Sequence, residues 1–228
     1  MINSEVVAVI APHPDDEILG VGGALNEFSR CGIKTSVLIV SGHLPPLYPN
    51  EEFEKTKVEA EKAKDIVGVE SVEFLEVPAT KVHELETSVL NGEILDFLRR
   101  KSPDTVFIPF PDRHIDHRTI FDACMVACRP VGISHPLHVL AYETLSETYW
   151  NAPNIEPNFQ PNLFIDITNS IDAKIEAMTA YASQISGNRS RSPDALSALA
   201  RFRGSQNNCE FAEAFQLIRS INFIGKQA

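Results

Sequence analysis

Short apolar runs rich in β-branched residues recur along the first two-thirds of the chain, and between them the apolar positions fall at helical spacing. The runs at 6–10, 34–40, 71–77, 104–109 and 137–142 are too short for helices, and most are closed by Gly or Pro, so they predict strands. A helical pattern follows the first run and ends near Cys31-Gly32. Others cover 51–67, where Gly68 is placed to cap the end, 87–101 and 116–128. Strand–helix alternation of this regularity predicts a Rossmann-like three-layer α/β/α fold with a mostly parallel sheet. After Glu143 the texture changes. Pro153, Pro157 and Pro161 mark 151–162 as an extended loop, Phe164-Ile165-Asp166-Ile167 suggests a further strand, and the remainder reads as helices.

The chain has 228 residues, 43% of them hydrophobic, enough for one well-buried domain spanning 1–228 and hardly for two. No repeat, low-complexity tract or linker divides it. The net charge of −11 argues against a nucleic-acid partner, because phosphate binding wants a basic face. Residues 1–5 are too short and too poorly charged for a signal peptide, and no stretch reaches the ~20 apolar residues of a membrane span. The expectation is a cytoplasmic protein without membrane attachment; a homo-oligomer is compatible with the sequence. Four cysteines, at 31, 124, 128 and 209, form no C-x-x-C pair and read as small buried hydrophobes in a reducing compartment.

Polar chemistry gathers where two of the predicted strands end. Just past the first come His13-Pro14-Asp15-Asp16-Glu17, and just past the fourth Asp112-Arg113-His114-Ile115-Asp116-His117-Arg118. In open α/β sheets ligands bind beyond the carboxyl ends of the strands. Acids in a first helical turn also favour the macrodipole, which would explain the first cluster taken alone. Together the clusters say more. His13 and Asp16, one turn apart, can present a nitrogen and an oxygen to one cation, and Pro14 stiffens the turn between them. A catalytic zinc takes three protein ligands and leaves one position for water; His13, Asp16 and one histidine of the second cluster supply that number.

These two motifs resemble the LmbE-like, PIG-L-type zinc N-deacetylases, which remove acetyl from N-acetylglucosaminyl compounds. The resemblance extends to Tyr142-Glu143, Lys174, Tyr181-x-Ser183-Gln184, Arg203-Gly204 and Phe211-Ala212-Glu213-Ala214-Phe215, and so covers nearly the whole chain. It implies Zn2+ as cofactor, His13, Asp16 and His117 as its ligands, Asp15 as general base and His114 as partner of the oxyanion. Asp116 is expected behind the metal, orienting a histidine. A protonated His114 would add a charge-assisted hydrogen bond. The implied substrate is a small-molecule amino sugar or sugar conjugate. The family also includes enzymes acting on a membrane glycolipid, and it is the lack of an apolar span and the net charge of −11 that lead to the expectation of a soluble one. A zinc amidase cutting a larger amide, such as a thiol-sugar conjugate, would use the same residues.

The chain departs from the family pattern in places. Thr56 stands where many members carry an arginine able to touch substrate; Asn208 replaces a common glycine and Phe211 a frequent tyrosine. A nucleotide-binding reading of Gly20-x-Gly22-Gly23 fails at Leu25, the sixth position of a G-x-G-x-x-G, and three carboxylates would face the pyrophosphate. Asp112 and Glu17 read as turn and helix-start residues, Glu17 equally as a support behind the site. Arg113 and Arg118 are candidates for an anionic group of the substrate or for pairing with Asp112. His43 lies in a proline-rich loop where substrate contacts are common; His83, His135 and His138 have structural readings.

Overall fold

The structure, a computed structural model, describes residues 4–132 and 135–222; residues 1–3 of the N-terminal stretch read above lie outside it. Strands β1 (Val6–Ala11), β2 (Lys34–Gly42), β3 (Ser71–Pro78), β4 (Thr105–Pro109) and β5 (His138–Tyr142) form a parallel sheet in the order 3-2-1-4-5. The helices between them are α1 (Asp16–Arg30), α2 (Asn50–Val67), α3 (Thr87–Lys101) and α4 (Ile115–Ala127). β-Branched and aromatic side chains fit this buried pleat. Along β1, Val7, Val9 and Ala11 pack on one face with Leu25 of α1 and Ala60 and Ala63 of α2. Ala8 and Ile10 pack on the other with Ile94 and Phe97 of α3 and Ile120 and Cys124 of α4. The expected three layers follow from that alternation.

Past Tyr142 the chain completes the sheet in a different sense. β6 (Leu163–Asp166) is followed by α5 (Ile171–Ala180), the short α6 (Ala182–Ile185), α7 (Pro193–Ser205) and β7 (Ala212–Ser220). β7 runs antiparallel between β5 and β6, giving seven strands in the order 3-2-1-4-5-7-6. The helical expectation for this last segment is therefore corrected. Ala, Glu, Gln and Leu favour helix intrinsically, but two free ladder edges capture the segment, and β preference is set by such surroundings.

Several local expectations meet their geometry. Gly68 caps α2 with φ 77° and donates to the Lys64 carbonyl at 2.9 Å. Asn208 takes the left-handed conformation, φ 58°, in place of the glycine. The glycines of α1 serve packing: a Cβ on Gly20 would stand 2.2 Å from Tyr142, and one on Gly23 would stand 2.7 Å from Ile167. All four cysteines are free; Cys124 and Cys128 lie within the core as expected, whereas Cys209 is half-buried and Cys31, just past the end of α1, is exposed. Strand order reverses between β1 and β4, the switch point at which such sheets open a crevice. Both polar clusters lie there.

Candidate active site

The turn from β1 into α1 is built on a strained residue. Asp15 is the N-cap of α1 with φ 105°, a left-handed conformation that non-glycine residues adopt at a cost. Its amide donates to Glu17 Oε2 at 3.1 Å, and Tyr181 donates its hydroxyl to Glu17 Oε1 at 2.6 Å. Burial pushes Glu17 up to about 7. A buried Lys174–Glu213 pair (2.5 Å) braces the same helix: Lys174 donates to the Leu19 carbonyl, and Glu213 accepts from the Gly23 and Ala24 amides. Glu17 thus supports the turn from behind, and the tail residues quoted above hold the first helix in place. Glu143 and Arg203 form another buried pair, at 2.9 and 2.7 Å.

The second cluster meets the first across the β1–β4 crevice. Asp16 Oδ2 lies 3.1 Å from His13 Nδ1 and 3.3 Å from His117 Nε2. A tetrahedral site with bonds of about 2.0–2.1 Å has ligand atoms roughly 3.3 Å apart, so both separations suit one ion. The far nitrogen of each imidazole rests on a carboxylate: His13 Nε2 on Asp116 Oδ2 at 3.0 Å, His117 Nδ1 on Asp112 Oδ2 at 2.9 Å. Asp116 is itself held by the Thr80 amide at 2.7 Å, and Asp112 by the Thr148 hydroxyl at 3.2 Å and the His114 amide at 3.0 Å. Carboxylates behind histidines are the usual frame of a metal centre. Asp112, read from sequence as a turn residue, belongs to that frame.

The donor atoms are left unsatisfied where a cation would sit. Asp16 Oδ1 and His117 Nε2 are buried without hydrogen-bond partners, Nε2 facing Asp16 Oδ2 out of alignment. Such orphans are rare in folded proteins, and these fit a divalent ion. His13, His114 and His117 form an alternative set, with one ring nitrogen each within 4.8 Å of one another. Without metal, protons neutralise the cluster. Burial opposes charge on both imidazoles, yet the facing carboxylates raise His13 to about 9 and His117 to about 10. Asp16, despite burial, is held well below the usual carboxylate range by His117 and His13.

His114 behaves differently from its neighbours. It caps α4, and its Nδ1 accepts from the Asp116 amide at 3.2 Å. With Nδ1 accepting, a neutral His114 carries its proton on Nε2. Burial, with the charges of His13 and His117, lowers it to about 4. This metal-free geometry favours the neutral form over the protonated His114 considered from sequence.

A cleft of about 490 Å³ opens over these residues, lined by His13, His114, His43, Tyr48, Gln184 and Arg191 among others. His43 and Tyr48 meet edge to face at 4.4 Å. Thr56 is buried and donates back to the Glu52 carbonyl at 2.6 Å, so α2 brings no basic group here. Arg191, from the segment before α7, supplies one instead, 3.0 Å from Asp15 Oδ2. Nothing in the surrounding Asn, Ser and Arg residues marked it in advance. Arg113 and Arg118 turn to Glu156 at 3.3 and 3.6 Å and fasten the proline-rich loop.

Fold and site together define an α/β protein with a histidine–carboxylate centre suited to one divalent cation at its switch point. The chain belongs to the PIG-L family, described as GlcNAc-PI de-N-acetylase, whose pattern matches residues 8–128. It is 24% identical over 225 residues to the diacetylchitobiose deacetylase of Thermococcus kodakarensis, covering 94% of this chain and 84% of that one. Its fold matches the conserved protein TT1542 of Thermus thermophilus, with TM-score 0.77, 24% identity and coverage of 99% and 100% of the two chains. It also matches GalB, the 4-carboxy-2-hydroxymuconate hydratase of Pseudomonas putida, with TM-score 0.77, 19% identity and coverage of 98% and 99%. Among the described residues, no helix is long and apolar enough to cross a membrane.

Proposed function

We propose that the protein is a zinc-dependent N-deacetylase that hydrolyses the acetamide of an N-acetylglucosamine-type sugar or sugar conjugate. The observation that carries this is the cluster of His13, Asp16 and His117, in which Asp16 Oδ1 and His117 Nε2 lack hydrogen-bond partners and each imidazole is backed by a carboxylate, with the Asp15 carboxylate alongside. The family supports the bond class, and a cleft edged by hydroxyl, amide and aromatic groups suits a sugar ring. Bound by that trio, zinc would supply a water whose pKa is lowered towards ~7 and a positive charge for the amide oxygen.

The protein's own groups account for the proton movements. Asp15, whose Oδ1 has no hydrogen-bond partner, accepts the proton of the attacking water. Burial, partly offset by Arg191, raises its carboxyl well above the usual range, which makes it a competent base that can also return the proton. His114 donates its Nε2–H to the amide oxygen as negative charge develops; loss of one such donor costs about 100- to 1000-fold in rate. As the carbon–nitrogen bond breaks, the protonated Asp15 delivers its proton to the leaving amine. Asp112 and Asp116 keep the two imidazoles in the required tautomer.

Chelator-stripped protein reconstituted with zinc, assayed for acetate from N,N′-diacetylchitobiose and N-acetylglucosamine, tests the reading. Acetate release restored by zinc supports it. Absence of acetate with zinc bound, or hydration of an unsaturated acid instead, overturns it.

A further inference from the structure

We propose that Arg191 is a positioning residue of this reaction, acting through Asp15; the inference rests on the deacetylase reading and extends it to a residue outside both motifs. Asp15 has a fixed backbone, but neither oxygen of its carboxylate has an aligned hydrogen-bond donor. The nearest cationic atom is Arg191 Nη1, 3.0 Å from Oδ2. Among the described residues, Arg191 is the only lysine or arginine lining the cleft.

The guanidinium is itself held in place. Nη1 donates to Gln184 Oε1 at 3.2 Å, and Nη2 stands 3.9 Å from Glu147 Oε1. Gln184 donates to the Ser183 hydroxyl at 2.8 Å. Ser183 in turn gives its amide to Glu59 Oε1 at 3.0 Å and its hydroxyl to Oε2 at 2.5 Å. A chain of polar contacts therefore runs from α2 through α6 to the base. It holds the guanidinium charge beside Asp15 Oδ2 and leaves Oδ1 for the proton in flight, the division a general base needs.

An anion-binding role for Arg191 fits the surroundings less well. Two carboxylates, Asp15 and Glu147, already face the one guanidinium, so it has no charge to spare for a substrate anion. Their facing oxygens also explain why a planar fork rather than an ammonium stands here.

A double-mutant cycle tests the assignment. Arg191→Ala should lower kcat for acetate release by about 10- to 100-fold, part of the 10²–10⁴ that a general base contributes. KM should stay within about threefold and zinc at one equivalent, since uniform substrate binding is not what is lost. In an Asp15→Asn background the same change should cost nothing further, because the two residues act as a unit. Added guanidinium ion should restore part of the activity to Arg191→Ala and none to Asp15→Asn, and Arg191→Lys should fall between. Arg189→Ala, an exposed neighbour, should match the wild type.

Raised KM at unchanged kcat, full activity, additive losses in the double variant, or a rate loss that tracks lost zinc or a lowered Tm each overturns the proposal. If the wild type releases no acetate, it is the deacetylase reading that fails. Side-chain ¹⁵N spectra of labelled arginine then still decide the contact. One guanidinium should show hindered rotation that disappears in Asp15→Asn, and free rotation of Arg191 in the wild type contradicts the inference.

Discussion

Asp15 combines three features that a merely structural residue would not carry together: a left-handed backbone, full burial and a carboxylate without aligned donors. Asp15→Asn is predicted to keep one zinc while losing about 10²- to 10⁴-fold in turnover. Asparagine tolerates the same backbone region, so the turn survives. Zinc content and kcat measured on one preparation check this; retained turnover removes Asp15 from the mechanism. Asp112→Asn should instead weaken zinc by about 10- to 100-fold, as loss of a carboxylate behind a metal histidine does. Competition with a chromophoric chelator reads that affinity. Asp112 was not legible as such a support, because a lone Asp after a strand-ending proline looks like turn chemistry. His13 and Asp16 were legible as a pair able to share one cation with a histidine of the second cluster, since type and spacing at two strand ends carry that much; the choice of His117 came only from the family resemblance. Arg191 was not legible, because only folding brings it to Asp15, 176 positions away along the chain.

The protonation of the metal-free cluster leads to a pH dependence. His13 and His117 have folded-state values of about 9 and 10, above the ~6.5 of an unfolded histidine. Each therefore contributes stability that is fully present below about pH 6.5 and is lost as pH rises through 9 to 10. Zinc needs both imidazoles neutral and competes with those protons. Thermal melts of stripped protein should show Tm falling from pH 7 to pH 10, and the zinc-induced rise in Tm should be larger at pH 9 than at pH 6.5. A zinc effect independent of pH contradicts the ligand assignment.

At the scale of elements, the site depends on how closely α1 approaches the end of β5. Gly20→Ala puts a methyl carbon 2.2 Å from the Tyr142 ring, whose hydroxyl is fixed to the Ile10 carbonyl at 3.0 Å. Overpacking of this kind costs about 1–3 kcal/mol, and a urea titration should find it with an unchanged m value. A variant as stable as the wild type would show that the contact relaxes freely. The five parallel strands and four helices were readable because each apolar pattern matches its own period. β7 escaped because its identity comes from two neighbours remote in sequence. Its Ala-Glu-Ala-Phe-Gln-Leu composition favours helix until β5 and β6 offer their edges.

At the scale of the whole molecule, a net charge of −11 bears on the physical state of the substrate. Each basic residue near an anionic membrane contributes about 1 kcal/mol of attraction, and an acidic surface reverses the sign. The protein is predicted to remain in the supernatant when spun with phosphatidylserine vesicles in about 0.1 M salt, where screening extends over ~10 Å. It should also deacetylate short N-acetylglucosaminides without lipid. Co-sedimentation with activity only on a lipid-linked analogue would oppose both expectations. The centre at the β1–β4 switch point remains the basis of the whole account, and metal titration probes it most directly. Zinc added stepwise to chelator-stripped protein, with acetate release from N,N′-diacetylchitobiose followed at each step, should raise the rate linearly to a break at one equivalent per chain. A rate indifferent to stripping, or no acetate at one bound equivalent, contradicts the account.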